Sequence, residues 1–133
     1  KTPFMPGGEH EGSIVLASRI KLVPGTIAAI EEEMTAHEAD RRKKGHFDYP
    51  SAGSFFKNNH AFGRPSGAIL DELGFRGRRK GGAMVNPKHA NIFVNASGAT
   101  ALDMLALMEE AQDAARKAFG FELEPELVLL GEF

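Results

Sequence analysis

The chain has 133 residues, enough for one modest core and too few for two ordinary domains joined by a linker. Hydrophobic residues at 42% and charged residues at 26% lie near globular averages, which argues against wholesale disorder and against a coiled coil. Lys+Arg 16 against Asp+Glu 18 leaves a net charge of −2, so no global field exists to hold nucleic acid or an anionic membrane, and no apolar run is long enough for a membrane span.

With no cysteine there is no disulfide frame and no thiolate nucleophile, which fits a reducing, cytoplasmic setting. The chain begins at Lys1 rather than methionine, and residues 1–12 carry no helical or strand period, so it reads as a piece of a longer polypeptide with an irregular leading segment followed by one domain over 13–133.

From Ser13 to Leu22 apolar residues alternate (Ile14, Leu16, Ile20, Leu22), the period of a half-buried strand. Pro24-Gly25 turns the chain. Thr26 then caps a helix through Ile27, Ile30 and Met34 towards Lys44, with acids early, the basic run Arg41 to Lys44 late, and Gly45 as its stop. That basic run has a structural explanation in the helix dipole, beside which a ligand-facing role for one member stays open.

Ser54 to Asn58 can form a short strand, Ser66 to Leu73 a two-turn helix ended by Gly74, and Ala83 to Val85 and Ile92 to Val94 two short apolar strands. Thr100 followed by Asp103 has the form of a capping box. It opens a helix to Phe119, along which Ala101, Met104, Leu105, Met108, Ala111, Ala115 and Ala118 recur at three and four before Gly120 closes it. Leu127 to Leu130 reads as a final buried strand. The order predicts an α+β domain, helices packed on a small mixed sheet.

Nucleotide-loop, zinc-protease and nucleophile-elbow signatures are missing, and the five histidines show no pairing suited to a metal. Arg76, Arg78, Arg79 and Lys80 cluster beside two glycines, either a solvated turn or a phosphate receiver. In Tyr49 to Asn59 (YPSAGSFFKNN), period two sets Ser54, Phe56 and Asn58 on one face, away from Phe55 and Lys57. The small residues before Ser54 would let a ligand approach the backbone, so a binding role and a structural one stand side by side. Glu126, after Pro125 in ELEPELVLL, is either solvated at the end of a strand or held in a cleft.

YPSAGSFFKNN, SGAILDELGFRG, GGAMVNPKHANIFVN, ATALDMLALMEEAQ and FGFELEPELVLLG resemble, in order and spacing, the C-terminal domain of the UDP-N-acetylenolpyruvoylglucosamine reductase (MurB) family, from about Ser13 to Gly131. The resemblance implies a flavoenzyme of peptidoglycan synthesis that reduces the enolpyruvyl ether of UDP-N-acetylglucosamine, with NADPH as electron source. A hydride passes from the FAD to C3 of the enolpyruvyl group. Ser54 would protonate C2, and Glu126 would assist that protonation or stabilise the enolic intermediate. A hydroxyl is a weak acid, but a carbanion-like centre is a strong enough base to take its proton.

Lys57 and Asn58 fall on substrate-contact positions of the family. His89 sits where one branch carries a substrate-touching glutamine, although a structural histidine bonded to a carbonyl is equally compatible. Asn59 stands where the family usually has proline, which affects the local turn. The FAD-binding domains, with a further catalytic arginine, are not in this chain, and FAD contacts would come mainly from them. The fragment alone is expected to be inactive, its partners being the enolpyruvyl UDP-sugar and those missing domains. A free-standing sugar-nucleotide binding module without redox activity, or a degenerate domain kept for protein contacts, are the competing readings.

Overall fold

A computed structural model of the chain describes residues 3, 4 and 7–131. It divides into two compact units, Lys1–Glu32 and Glu33–Phe133.

In the first unit the alternating segment at 14–22 forms no strand, against the expectation. Ile14, Leu16, Ile20 and Leu22 are all exposed. A strand needs a neighbour to take its backbone donors and acceptors, and no strand pairs with this segment among the described residues. Helix α1 (Ile27–Lys43) begins in this unit, its first turn closed by the Thr26 hydroxyl accepting from Ala29 N–H at 3.4 Å, and ends in the second. No residue of α1 is buried. Its late basic residues make i,i+4 ion pairs, Arg42 with Glu38 and Lys44 with Asp40, and Gly45 at φ +76° follows it. For those two cations the structural explanation of the basic run suffices.

The second unit is built on a sheet of order β1-β4-β3-β2. Its strands are β1 (Ser51–Ser54), β2 (Arg79–Lys80), β3 (Ala83–Val85) and β4 (Ile92–Asn95), with α2 (Ser66–Glu72) between β1 and β2 and α3 (Ala101–Phe119) after β4. The α+β reading holds. Every described strand pair is antiparallel where a mixed sheet was expected, and the returns from β2 to β3 and from β3 to β4 are too short for the crossover that a parallel pair needs. Part of the basic cluster at 76–80 is strand β2, paired with β3, and Leu127 to Leu130 forms no strand, with Val128 and Leu130 largely exposed.

Period two splits the central strands. Ala83, Val85 and Phe93 face a core shared with Ile69, Leu70, Phe75, Leu107, Met108, Ala111, Ala115 and Leu123, while Met84, Ile92 and Val94 form a smaller cluster. The capping box of α3 is present in full, and Gly120 closes the helix in the left-handed conformation. Its buried stripe runs through Leu107, Met108, Ala111 and Ala115. Relative to the expected stripe it gains Leu107, and Ala101 and Ala118 are exposed.

The two-residue turn between β2 and β3 constrains Gly82 by space rather than by dihedral. A Cβ there would lie 2.4 Å from the Ser97 carbonyl oxygen and 2.5 Å from the Ala99 nitrogen. Both obstacles are backbone, so Gly82→Ala is expected to cost ~1–3 kcal/mol through forced displacement, read as a lower urea midpoint at unchanged m-value. A midpoint equal to wild type would show the turn yielding freely.

Asp103 accepts from Thr100 N–H at 2.9 Å and Gly82 N–H at 3.3 Å. These backbone bonds, Thr100 first, hold its pKa below the usual 3.8. A depressed carboxylate contributes stability that is present above its unfolded pKa and lost as pH falls through the folded one. The wild-type urea midpoint should therefore fall more steeply below pH 4 than that of Asp103→Asn; parallel acid limbs would contradict this.

Candidate active site

The site begins with an irregularity in β1. Ser51 pairs with Val94 and Ser54 with Ile92, so β1 carries one residue more than β4 over the same span. Gly53, at φ +89°, sits in this bulge, where a side chain would be strained. No atom lies within 4 Å of where its Cβ would stand, so space is open above it. The bulge ends regular pairing at Ser54, four residues earlier than the alternation suggests, and leaves Ser54 exposed at the strand end.

Beyond it both Phe55 and Phe56 turn inward, 6% and 0% exposed. Phe55 stacks on Phe93 with 4.2 Å between ring centroids, and Phe56 meets the same ring edge-on at 5.8 Å. Alternation therefore fails here because an aromatic cluster buries two consecutive side chains.

Asn91, 2% exposed, fixes this segment. Its Oδ1 accepts from Phe56 N–H at 2.9 Å, its Nδ2 donates to Phe56 C=O at 2.8 Å, and its backbone carbonyl accepts from Phe55 N–H at 2.8 Å. The far edge of the segment is then open to a second partner. Phe56 bridges Pro125 antiparallel, Lys57 N–H donates to Glu124 C=O, and Glu126 N–H donates to Phe55 C=O, each at 2.9 Å for the two hydrogen bonds. This pairing brings Ser54 and Glu126 together, remote in sequence, on a cleft of about 230 Å³ walled otherwise by Ala52 and Leu127. Of the two settings left open for Glu126, the chain shows a carboxylate that is exposed yet lines a cleft.

Ser54 also lines a second cavity of about 360 Å³ with Asn58, His89, Arg76, Asp71 and Lys88 among its walls. Asn58 Oδ1 is spent on Ser66 N–H at 2.9 Å, at the start of α2. His89 Nδ1 accepts from Asn91 N–H at 3.3 Å, which leaves Nε2 to carry the proton of the neutral ring. Burial first, then His46 and Arg76, push the His89 pKa below 6.5.

Lys57 stands apart from these residues. It pairs with Glu124 and lines a different cavity of about 580 Å³, with Asn58, His60 and Gln112. Ser54, Asn58 and His89 therefore share one cavity and Ser54 and Glu126 share a cleft, while Lys57 lines neither.

Arg76, Asp71 and Lys88 were missed as site residues. Arg76 had been noted only within its basic cluster, which ion pairing divides: Arg76 joins Asp71, and Arg78 and Lys80 join Glu110. Nothing in the spacing distinguishes Arg76 from Arg78. Only the fold, which turns the first towards the cavity and lays the second over the Phe75 ring, does so.

The family described as UDP-N-acetylenolpyruvoylglucosamine reductase, C-terminal domain, matches residues 45–130. Among curated proteins, the UDP-N-acetylenolpyruvoylglucosamine reductase of Treponema pallidum is 41% identical over 99% of this chain and 38% of its own length. The protein of that name from Treponema denticola is 42% identical over 90% of this chain and 37% of its own. The chain thus spans under two fifths of these relatives. Among solved structures, UDP-N-acetylenolpyruvylglucosamine reductase (MurB) from Thermus caldophilus superposes with a TM-score of 0.61 at 32% identity, over 81% of this chain and 38% of that one.

Proposed function

The chain belongs to the UDP-N-acetylenolpyruvoylglucosamine reductase family, and on that premise we propose that it is the substrate-binding and proton-donating domain of such a reductase. The observation that carries the reading is the cleft shared by Ser54 and Glu126. A hydroxyl and a carboxylate lining one cleft suit protonation of a carbon that has just gained negative charge. Ser54 delivers its proton to C2 of the enolpyruvyl group, and Glu126 assists from the same cleft. The adjoining cavity takes the remainder of the substrate. There Arg76 and Lys88 meet the diphosphate, and Asn58 Nδ2 and the His89 Nε2–H donate to oxygen atoms of the ligand. Lys57 acts indirectly, through Glu124, by anchoring the segment that presents Glu126.

The cleft has room for the reactive edge of a flavin. Its walls are the small or apolar Ala52 and Leu127, and the space above Gly53 is clear. Bound there, FAD would supply the hydride, with NADPH as ultimate donor. Holding the dinucleotide falls to the part of the polypeptide that the longer relatives carry. In this reading peptidoglycan synthesis is the pathway and the cytoplasm the place of action.

The test is the polypeptide that carries this domain, recovered from source cells. A chain much heavier than 133 residues, with a visible flavin band and turnover of enolpyruvyl-UDP-N-acetylglucosamine by NADPH, is the expected result. A chain of this length without flavin would overturn the reductase reading in favour of a sugar-nucleotide binding module.

A further inference from the structure

Helix α3 is fixed in the core by Leu107, Met108, Ala111 and Ala115, and the half-buried Gln112 stands at the edge of that stripe, roughly two turns before the helix ends. After Gly120 turns the chain in the left-handed conformation, Phe121 packs on Phe62, with 3.8 Å between ring centroids and 8° between planes. The returning chain then passes Gln112, whose Nε2 donates to the Leu123 carbonyl oxygen at 2.9 Å. Leu123 is wholly buried. A partly buried amide needs a partner, and Gln112 finds its partner on the short stretch of chain that leads to the carboxylate of the cleft.

We propose that Gln112 is a positioning residue for the protonation step. By tying the Leu123 carbonyl to α3 it sets the place of the Glu126 carboxylate in the cleft that Glu126 shares with Ser54. This role deepens the reductase reading and depends on Glu126 assisting proton transfer there.

A displacement at Leu123 reaches Glu126 because the link between them is stiff. Pro125 fixes its own φ and biases Glu124 to extended backbone. The link is also bonded to the segment after β1, through Lys57 N–H to Glu124 C=O and Glu126 N–H to Phe55 C=O, each at 2.9 Å. Gln112 supplies the support from a different element, at the upstream end. The Arg116 guanidinium meets Glu122 nearby, but those side chains are 54% and 50% exposed, so water screens the pair and it holds weakly. The anchor that α3 provides to this segment is therefore chiefly the neutral bond from Gln112. Gln112→Leu removes the donor, leaves the carbonyl of a buried residue without it, and frees the upstream end of the link.

The test is a double-mutant cycle in the full-length reductase, with kcat and KM for the enolpyruvyl substrate measured in Gln112→Leu, Glu126→Gln and the two combined. Gln112→Glu, which keeps the shape but replaces the donor by an acceptor, is the second variant at that position. Gly82→Ala, in the β2–β3 turn, controls for loss of stability alone. Expected is a fall in kcat of about tenfold for either Gln112 variant, with KM changed by less than about twofold. Gly82→Ala should keep the wild-type kcat at a temperature where every variant is folded. In the Glu126→Gln background Gln112→Leu should cost nothing further, the double variant staying within about twofold of Glu126→Gln alone. Losses that multiply would show Gln112 acting independently of Glu126 and overturn the role. A loss carried by KM, or one that Gly82→Ala matches, would overturn it too. If both Gln112 variants keep full kcat while Glu126→Gln is impaired, the role fails and the reading of Glu126 stands. Full kcat in Glu126→Gln would overturn the reading of Glu126, and the positioning role with it.

Discussion

Ser54→Ala in the full-length reductase should lower kcat by ~10²-fold or more, the usual loss on removing a general acid, with a much smaller change in KM. Of the residues lining the Ser54–Glu126 cleft and the cavity beside it, Ser54 is the one that bears a hydroxyl. Its side chain is exposed at the end of β1 and makes no hydrogen bond within the described residues, so its removal leaves the fold alone. Oxidation of NADPH against an artificial acceptor, which needs no protonation at C2, should proceed at the wild-type rate. A kcat within threefold of wild type would remove Ser54 from the chemistry and leave the shared cleft without its proposed purpose.

How much of this arrangement could be read in advance depends on which forces are local. Helix α3 was legible end to end, because capping, an apolar stripe and a closing glycine all lie within its own residues. The same holds for α2, β3 and β4, whose spans fall within a residue or two of expectation. The segment 14–22 and Leu127 to Leu130 carry equally good apolar patterns and form no strand, since pairing depends on a neighbour that periodicity cannot supply. Strand β2 is the reverse case. Arg79 and Lys80 have no apolar face, and β3 recruits them through the tight turn at Gly81 and Gly82.

The site was legible only in part. Ser54 and Asn58 stood out by residue type and phase, yet the phase argument assumed regular pairing through Asn58, and the bulge at Gly53 ends it at Ser54. Bringing Glu126 beside Ser54 requires the bridge from Phe56 to Pro125, a contact between distant segments. Family resemblance named both residues, while composition and spacing could not join them. Arg76, Asp71 and Lys88 reach the cavity from α2 and the loops after α2 and β3, and no local signal marks loops that will converge.

The second large effect concerns the joint that makes that convergence possible. Asn91→Leu keeps roughly the side-chain volume but leaves Phe56 N–H and C=O, in a residue that is 0% exposed, without their partners. Each stranded buried backbone group costs ~1–3 kcal/mol, so the variant should lose about 2–5 kcal/mol of stability, seen as a lower urea midpoint. The damage should also reach the chemistry. Phe55 and Phe56 hold the 124–126 segment on one edge while Asn91 holds them on the other. Loosening the Asn91 side lets Glu126 move relative to Ser54 without either residue being altered. At temperatures where the variant is still folded, its kcat should therefore fall more than its KM rises, since proton delivery is sensitive to displacements of an ångström or less. A variant as stable as wild type would show that water replaces the Asn91 amide. Full kcat in a destabilised variant would show the Ser54–Glu126 cleft to be held by the aromatic cluster alone.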